Sequence, residues 1–100
     1  MIVVERMIQQ IYPGKMAALN EIDKRFDVVE KGLGFPPKKR FSSLSGPLDL
    51  NTIVVEREWS SMAAMEEIYA RSFGNSEQQA LVAELIDIVK STRIELYTPI

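Results

Sequence analysis

Residues 51–62 read NTIVVEREWSSM, and this stretch decides the fold. From Thr52 to Trp59 it is dense in β-branched and aromatic residues, which fit a pleated, half-buried surface. Ser60 and Ser61 follow at once, and serine is a preferred helix N-cap because its hydroxyl accepts a free N–H of the first turn. A strand running straight into a helix is therefore expected. Alternation sets Ile53, Val55, Arg57 and Trp59 on one face of that strand and Thr52, Val54, Glu56 and Glu58 on the other. The more apolar face, with Ile53, Val55 and Trp59, is assigned to a layer of helices. The half-polar face is expected to look toward a cavity or a partner subunit.

Upstream, Ile2 to Tyr12 has strand composition. Ile2, Val4, Arg6 and Ile8 fall on one face and Val3, Glu5 and Met7 on the other. Each face carries a charge that needs a partner or a route to water. Tyr12-Pro13-Gly14-Lys15 closes the strand, and proline is suited to the first turn of the helix that follows. That helix is predicted to run to about Lys31 on a stripe of Leu19, Ile22, Phe26 and Val29. Glu21/Arg25 and Asp27/Lys31 are its expected ion pairs, and Gly32 and Gly34 its stop signals. Lys38 to Ser45 reads as a weak strand whose lysines suit a sheet edge.

Downstream, a helix is expected to about Ser72, with Met62, Met65, Ile68 and Tyr69 inward. Ser76-Glu77-Gln78-Gln79 has the capping-box spacing of a further helix reaching about Lys90. Thr92 to Thr98 is a last alternating strand, with Ile94 and Leu96 on one side and Arg93, Glu95 and Tyr97 on the other.

This order of elements predicts one α+β domain over residues 1–100. It is a ferredoxin-like βαββαβ arrangement, a four-stranded antiparallel sheet with its helices on one face. The first and third strands belong in the centre and the second and fourth at the edges. On the open face Val3 or Val4, Val54 and either Ile94 or Tyr97 would remain uncovered, the mark of an interface. A homodimer through that face is expected, two sheets enclosing a polar-lined space.

Composition narrows the function by exclusion. The 100 residues carry 12 basic and 14 acidic side chains, a net charge of −2, which offers no footprint for nucleic acid or an anionic membrane. MIVVERMIQQ at the start reads as no signal or transit peptide, so a cytoplasmic location is expected. The sequence contains neither Cys nor His. Thiolate chemistry, a Ser-His-Asp or Cys-His arrangement and imidazole-held haem are thereby excluded, and no metal or cofactor is expected.

Tyr-Pro-Gly-Lys at 12–15, then Gly46-Pro47-Leu48 and Asn51-Thr52-Ile53-Val54 entering a strand that ends Glu58-Trp59-Ser60-Ser61, resembles the NIPSNAP-like group of dimeric α/β-barrel proteins. The resemblance implies a ferredoxin-like fold whose dimer forms a barrel around a cleft. It does not extend to the Glu-Leu-Arg-x-Tyr pattern often found on the first strand of that group: Glu5 fits its Glu, but Arg6, Met7 and Gln9 break the register. Relatives in the superfamily include cofactor-free monooxygenases, haem-degrading enzymes and binding proteins.

Candidate site residues follow from this arrangement. Trp59 is placed to stack on an aromatic ligand, against the competing reading of core packing. Asn51 is placed to polarise a carbonyl, against that of fixing a turn. Glu56 and Glu58 share a strand face and offer a base, against pairing with Arg6, Arg40 or Arg93. Lys38-Lys39-Arg40 offers an anion site, against edge protection, and Tyr12, Tyr69 and Tyr97 carry hydroxyls near helix or strand ends with no second group beside them. The expected function is binding of a small hydrophobic or anionic molecule in the sheet cleft. The alternative is a cofactor-independent monooxygenase or isomerase-like enzyme, with Asn51, Trp59 and Glu56 or Glu58 around a small aromatic substrate.

Overall fold

The computed structural model describes residues 1–100. Four strands, β1 (Val3–Ile11), β2 (Lys38–Ser42), β3 (Thr52–Trp59) and β4 (Val89–Tyr97), form one antiparallel sheet in the order β2-β3-β1-β4. Helices α1 (Met16–Leu33), α2 (Met62–Phe73) and α3 (Ser76–Glu84) cover one face, and a 3-10 turn at Leu85–Asp87 leads into β4. This is the ferredoxin-like arrangement expected, with the strongest strand, β3, central.

Two turns fix where α1 begins and ends. Tyr12-Pro13-Gly14-Lys15 is a type II turn: Lys15 N–H donates to the Tyr12 carbonyl at 3.1 Å, and Gly14 takes the required positive φ of 81°. Proline therefore serves the turn before the helix and not its first helical position, and no side chain caps α1. At the other end Gly34 stands at φ 92°. Its N–H donates to the Lys31 carbonyl at 3.2 Å while the Phe35 N–H reaches the Glu30 carbonyl at 3.0 Å, a Schellman closure. That closure turns Phe35 back under the helix, with consequences for the site below.

The apolar core has two parts. Ile11, Leu19, Ile22, Phe26, Ile53, Val55 and Leu81 form the larger; Val3, Trp59 and Met65 form the smaller, beside Phe35, Ile68 and Tyr69. Trp59 is buried in this second group, its ring 5.6 Å from Phe35 and 5.7 Å from Tyr69. Met62, expected inward, lies on the exposed side of α2.

Several local expectations give way to longer-range contacts. Arg25 makes a two-pronged bridge to Glu84 on α3 (2.7 and 3.0 Å), so Glu21 pairs with Lys24 instead, and Asp27 pairs with Lys38 at 3.0 Å and not with Lys31. Asn75, one residue before the expected serine, caps α3 by accepting the Gln78 N–H at 2.9 Å. The helix stops at Glu84, six residues short of Lys90, because Val89 and Ser91 are already paired with Ile11 and Gln10 across a bulge in β4. The edge strand β2 ends at Ser42, and residues 43–51 form a loop that runs to β3.

Candidate functional site

The sheet register sorts the charges into two rows. On the open face Lys39, Glu56, Arg6 and Glu95 stand side by side across β2, β3, β1 and β4. On the helix face the adjacent row is Lys38, Arg57, Glu5 and Leu96. The first alternates in sign and meets solvent. The second puts two cations next to each other beneath helices, which is costly unless something bridges them.

Helix α1 supplies the bridge. Arg57, only 5 % exposed, reaches Glu30 Oε1 with its Nη2 at 2.7 Å, and Lys38 Nζ meets the same oxygen at 3.1 Å. Lys38 also donates to Asp23 at 2.7 Å and pairs with Asp27 at 3.0 Å, so its one ammonium is shared among three carboxylates. Burial alone would lower the Lys38 pKa, but its hydrogen bond to Asp23 and the charge of Glu30, with Asp27 added, carry it above the ordinary lysine value. Arg40 approaches Asp23 at 3.4 Å and donates to Asn20 at 3.0 Å. The guanidinium of Arg57 lies 4.8 Å from the centroid of Phe35, the residue delivered by the Gly34 closure.

The third member of the row is Glu5, 2 % exposed. Its partners are neutral: Trp59 Nε1–H donates to Oε1 at 3.1 Å, and the Tyr69 hydroxyl donates to Oε2. Burial, reinforced by that bond to a carboxylate, raises the Tyr69 pKa well above the ordinary tyrosine value.

Between this row and the helices lies a cavity of about 340 Å³. Its apolar walls include Met7, Leu19, Phe26, Phe35, Val55 and Leu85; Asp23, Glu30, Lys38, Arg57 and Tyr69 are its ionisable lining. Gln79 and three further uncharged polar residues, Gln9, Ser72 and Gln78, also line it. These three are buried, at 7 %, 4 % and 8 % exposure. Arg57 Nε and Gln78 Oε1 have no hydrogen-bond partner within the chain. Phe73, at the end of α2, and Val82, on α3, are both largely exposed and mark the side of the cavity nearest solvent.

The residues singled out from sequence are not brought together. Arg6 and Glu56 pair on the open face (3.1 Å), where they line a shallow depression with Ile8, Val54 and the 43–48 loop. Tyr97 lies on the same face, with Arg6 5.4 Å from its ring centroid and its hydroxyl donating to Glu95 at 2.7 Å. That bond holds the Tyr97 pKa above its ordinary value. Glu58 shares the face but makes no ion pair. Trp59 and Arg40 lie on the opposite, helical side, so Trp59 cannot line a cleft with Arg6 and Glu56. Arg40 likewise pairs with α1 and not with Glu56. Tyr12 and Asn51 sit at the end of the sheet, lining neither the cavity nor the depression. There Asn51 fixes backbone: its N–H donates to Asp49 at 2.9 Å and its carbonyl accepts from Ile11 at 2.7 Å. No group of three or more Asp or Glu side chains is arranged to hold a metal ion.

Sequence reading therefore missed Arg57, Glu5, Glu30 and Gln78 as site residues, and left the Tyr69 hydroxyl without its partner. A signal was present. Arg57 falls in phase with Ile53, Val55 and Trp59, and Glu5 in phase with Val3 and Met7. Opposite charges on two core-facing strand faces call for each other or for a polar site.

Comparison with known proteins places this geometry within a class of folds. No protein-family model and no curated protein matches the chain. Solved structures do match in fold. A NIPSNAP family protein from Agrobacterium tumefaciens superposes with a TM-score of 0.83 at 20% identity, over 99% of this chain and 86% of that one. An uncharacterised NIPSNAP domain protein from Burkholderia xenovorans gives 0.85 at 15% identity, over 98% and 94%. A second NIPSNAP family protein from A. tumefaciens, of unknown function, gives 0.82 at 20% identity, over 98% and 87%. The chain thus has the NIPSNAP-like domain fold that its turn and strand motifs suggested.

Proposed function

We propose that this protein binds a small, largely apolar molecule in the cavity between its sheet and helices, and does so as a homodimer. One observation carries the binding reading. A cavity of about 340 Å³ is walled by core side chains, yet two of its lining residues, Arg57 and Gln78, carry buried polar atoms (Nε and Oε1) that the chain itself leaves unpartnered. Native proteins satisfy buried polar groups almost everywhere, so such atoms on a cavity wall favour a visiting partner. The volume lies at the small end of ligand pockets, and the mix of apolar wall and few polar groups is typical of them. This moves the expected ligand from the open sheet face to the helical side.

The open face supports the dimer. Its row Phe41, Val54, Ile8 is apolar, and Tyr97 and Phe41 are about half exposed, at 48% and 47%. Uncovered apolar surface of this kind favours association. Catalysis by Asn51, Trp59 and Glu56 or Glu58 has no such support, since these side chains do not share a cavity.

The test is a chemical-shift titration of the amide-labelled protein with a panel of small neutral aromatic and aliphatic compounds. Shifts clustered at Gln9, Phe26, Arg57 and Tyr69, and abolished by the cavity-filling change Ser72→Leu, are expected. Shifts confined to Arg6, Ile8 and Val54 would return the site to the open face.

A further inference from the structure

We infer that the ligand of this cavity is an uncharged molecule whose polar end carries both a hydrogen-bond acceptor and a donor, as a carboxamide does, and that the site rejects carboxylates and amines. The inference rests on the binding reading above and deepens it. It begins from what the cavity's charges are already doing. Lys38 donates to Asp23 and Glu30 and is also paired with Asp27, so three carboxylates surround its one charge. Arg57 is bridged to the same Glu30 at 2.7 Å. An entering anion would find each cation already paired with a carboxylate. It would also meet a surplus of like charge, because the row and its partners set four carboxylates (Glu5, Asp23, Asp27, Glu30) against three cations (Lys38, Arg40, Arg57).

An entering cation fares no better. Every cavity carboxylate is engaged, and Lys38 and Arg57 lie in the same wall to repel it. Without a new counter-ion, either charge would lose its hydration for little return. The groups that remain free are neutral or partial. Gln78 Oε1 lacks a donor and Arg57 Nε–H lacks an acceptor. Gln9 and Ser72, buried on the same wall, make no side-chain hydrogen bond within the chain. A glutamine offers both donor and acceptor, so it complements a neutral amide or hydroxyl and not a full charge. The rest of the lining is hydrocarbon and aromatic ring, which suits an apolar body.

A matched series isolates the polar end: 2-naphthamide, 2-naphthoate, 2-naphthylmethylamine and naphthalene, titrated at pH 7 by calorimetry and by chemical shift. The expected order puts 2-naphthamide first, by roughly tenfold or more over the two charged analogues, since unpaired polar groups discriminate strongly in buried sites. Gln78→Leu should erase the advantage of 2-naphthamide over naphthalene while naphthalene still binds. Gln9→Leu serves the same comparison if Gln78→Leu does not fold. Naphthoate or the amine binding as tightly as the amide would overturn the inference and leave the binding reading standing. Failure of all four, naphthalene included, would instead overturn the binding reading and the inference with it.

Discussion

Replacing Tyr69 by Phe removes a single hydroxyl and leaves the ring, which keeps the test clean. The ring packs 5.4 Å from Phe35, 5.7 Å from Trp59 and 6.1 Å from Phe73, and phenylalanine preserves each of these contacts. What is lost is the O–H donor to Glu5, a carboxylate that is 2 % exposed and whose other oxygen is held by Trp59 alone. Hydrogen bonds to charged groups contribute about 1.5–3 kcal/mol, and a buried acceptor left short of a donor adds a desolvation cost. Slightly easier burial of the phenyl ring offsets part of that. The expected loss is about 2 kcal/mol, or a fall in Tm of roughly 10 °C for a domain of this size.

Urea unfolding followed by Trp59 fluorescence reads the change as a shift in midpoint at constant slope, with protein concentration held fixed because association would couple to stability. Glu5→Gln, which keeps the shape of the acceptor, completes a double-mutant cycle. A coupling of about 1 kcal/mol or more is expected between the two sites. A loss under about 0.5 kcal/mol for Tyr69→Phe, the scale of a bland surface change, would refute the reasoning, because it would mean that Glu5 is held without this hydroxyl.

Other consequences can be checked beside it. The raised pKa of Tyr69 implies alkaline lability: above about pH 10 the unfolded chain gives up its phenolic proton while the folded chain keeps it. The hydroxyl's stabilisation is therefore complete below pH 10 and lost as pH climbs toward the folded value, and Tyr69→Phe should flatten that decline in a pH series of urea midpoints. Gly34→Ala must place a Cβ at φ 92°, with Ile68 Cδ1 only 3.3 Å away. A loss of about 1–2 kcal/mol is expected in the same assay, with weaker ring contacts at Phe35 visible in the near-ultraviolet dichroism. Light scattering should give twice the 11.3 kDa chain mass for the wild type and the single mass for Val54→Asp. A wild-type monomer at micromolar concentration would remove the dimer.

The fold was legible because its signals are local and repeat. β3 starts and ends where its alternation says, and Ser61 caps α2 through the Ala64 N–H as a serine at that place should. Ends set by distant partners were not legible. Helical periodicity carries on past Glu84 through Leu85 and Ile88, and only the pairing of Val89 with Ile11 across the sheet ends it. The same holds for charge. Asp27 and Lys31 have the spacing of a helical pair, yet a lysine from β2 reaches Asp27 first. Lys38 itself reads as an exposed edge residue until the register shows that it points under α1 beside Arg57. The candidate site was hidden for this reason: its members come from β1, β2, β3, α1, α2 and α3, and no two of its interacting charges are close enough in sequence to form a motif. Trp59 was drawn correctly onto the helical face. The cavity lies behind that face, whereas the cleft was expected on the other one.

The charged row on the helix face raises a question that stability alone does not answer. Burying Arg57 and Glu30 costs several kcal/mol of hydration, and their mutual attraction generally does no more than restore it. Apolar residues of similar volume would cover the same surface without that cost. If the pair is kept only to hold the fold, removing both charges should be damaging. If it is kept to furnish a polar floor for the cavity, removing both should leave the fold intact and abolish ligand recognition. The structure favours the second outcome, because Lys38 retains Asp23 and Asp27 at 2.7 and 3.0 Å when Glu30 is gone. Arg57→Leu alone should cost about 3 kcal/mol, since a buried carboxylate loses its closer cation. Arg57→Leu with Glu30→Leu should return to within about 1 kcal/mol of the wild type or exceed it, while 2-naphthamide loses its advantage over naphthalene. A double variant less stable than Arg57→Leu would make the row a structural necessity and leave the cavity as a by-product of it.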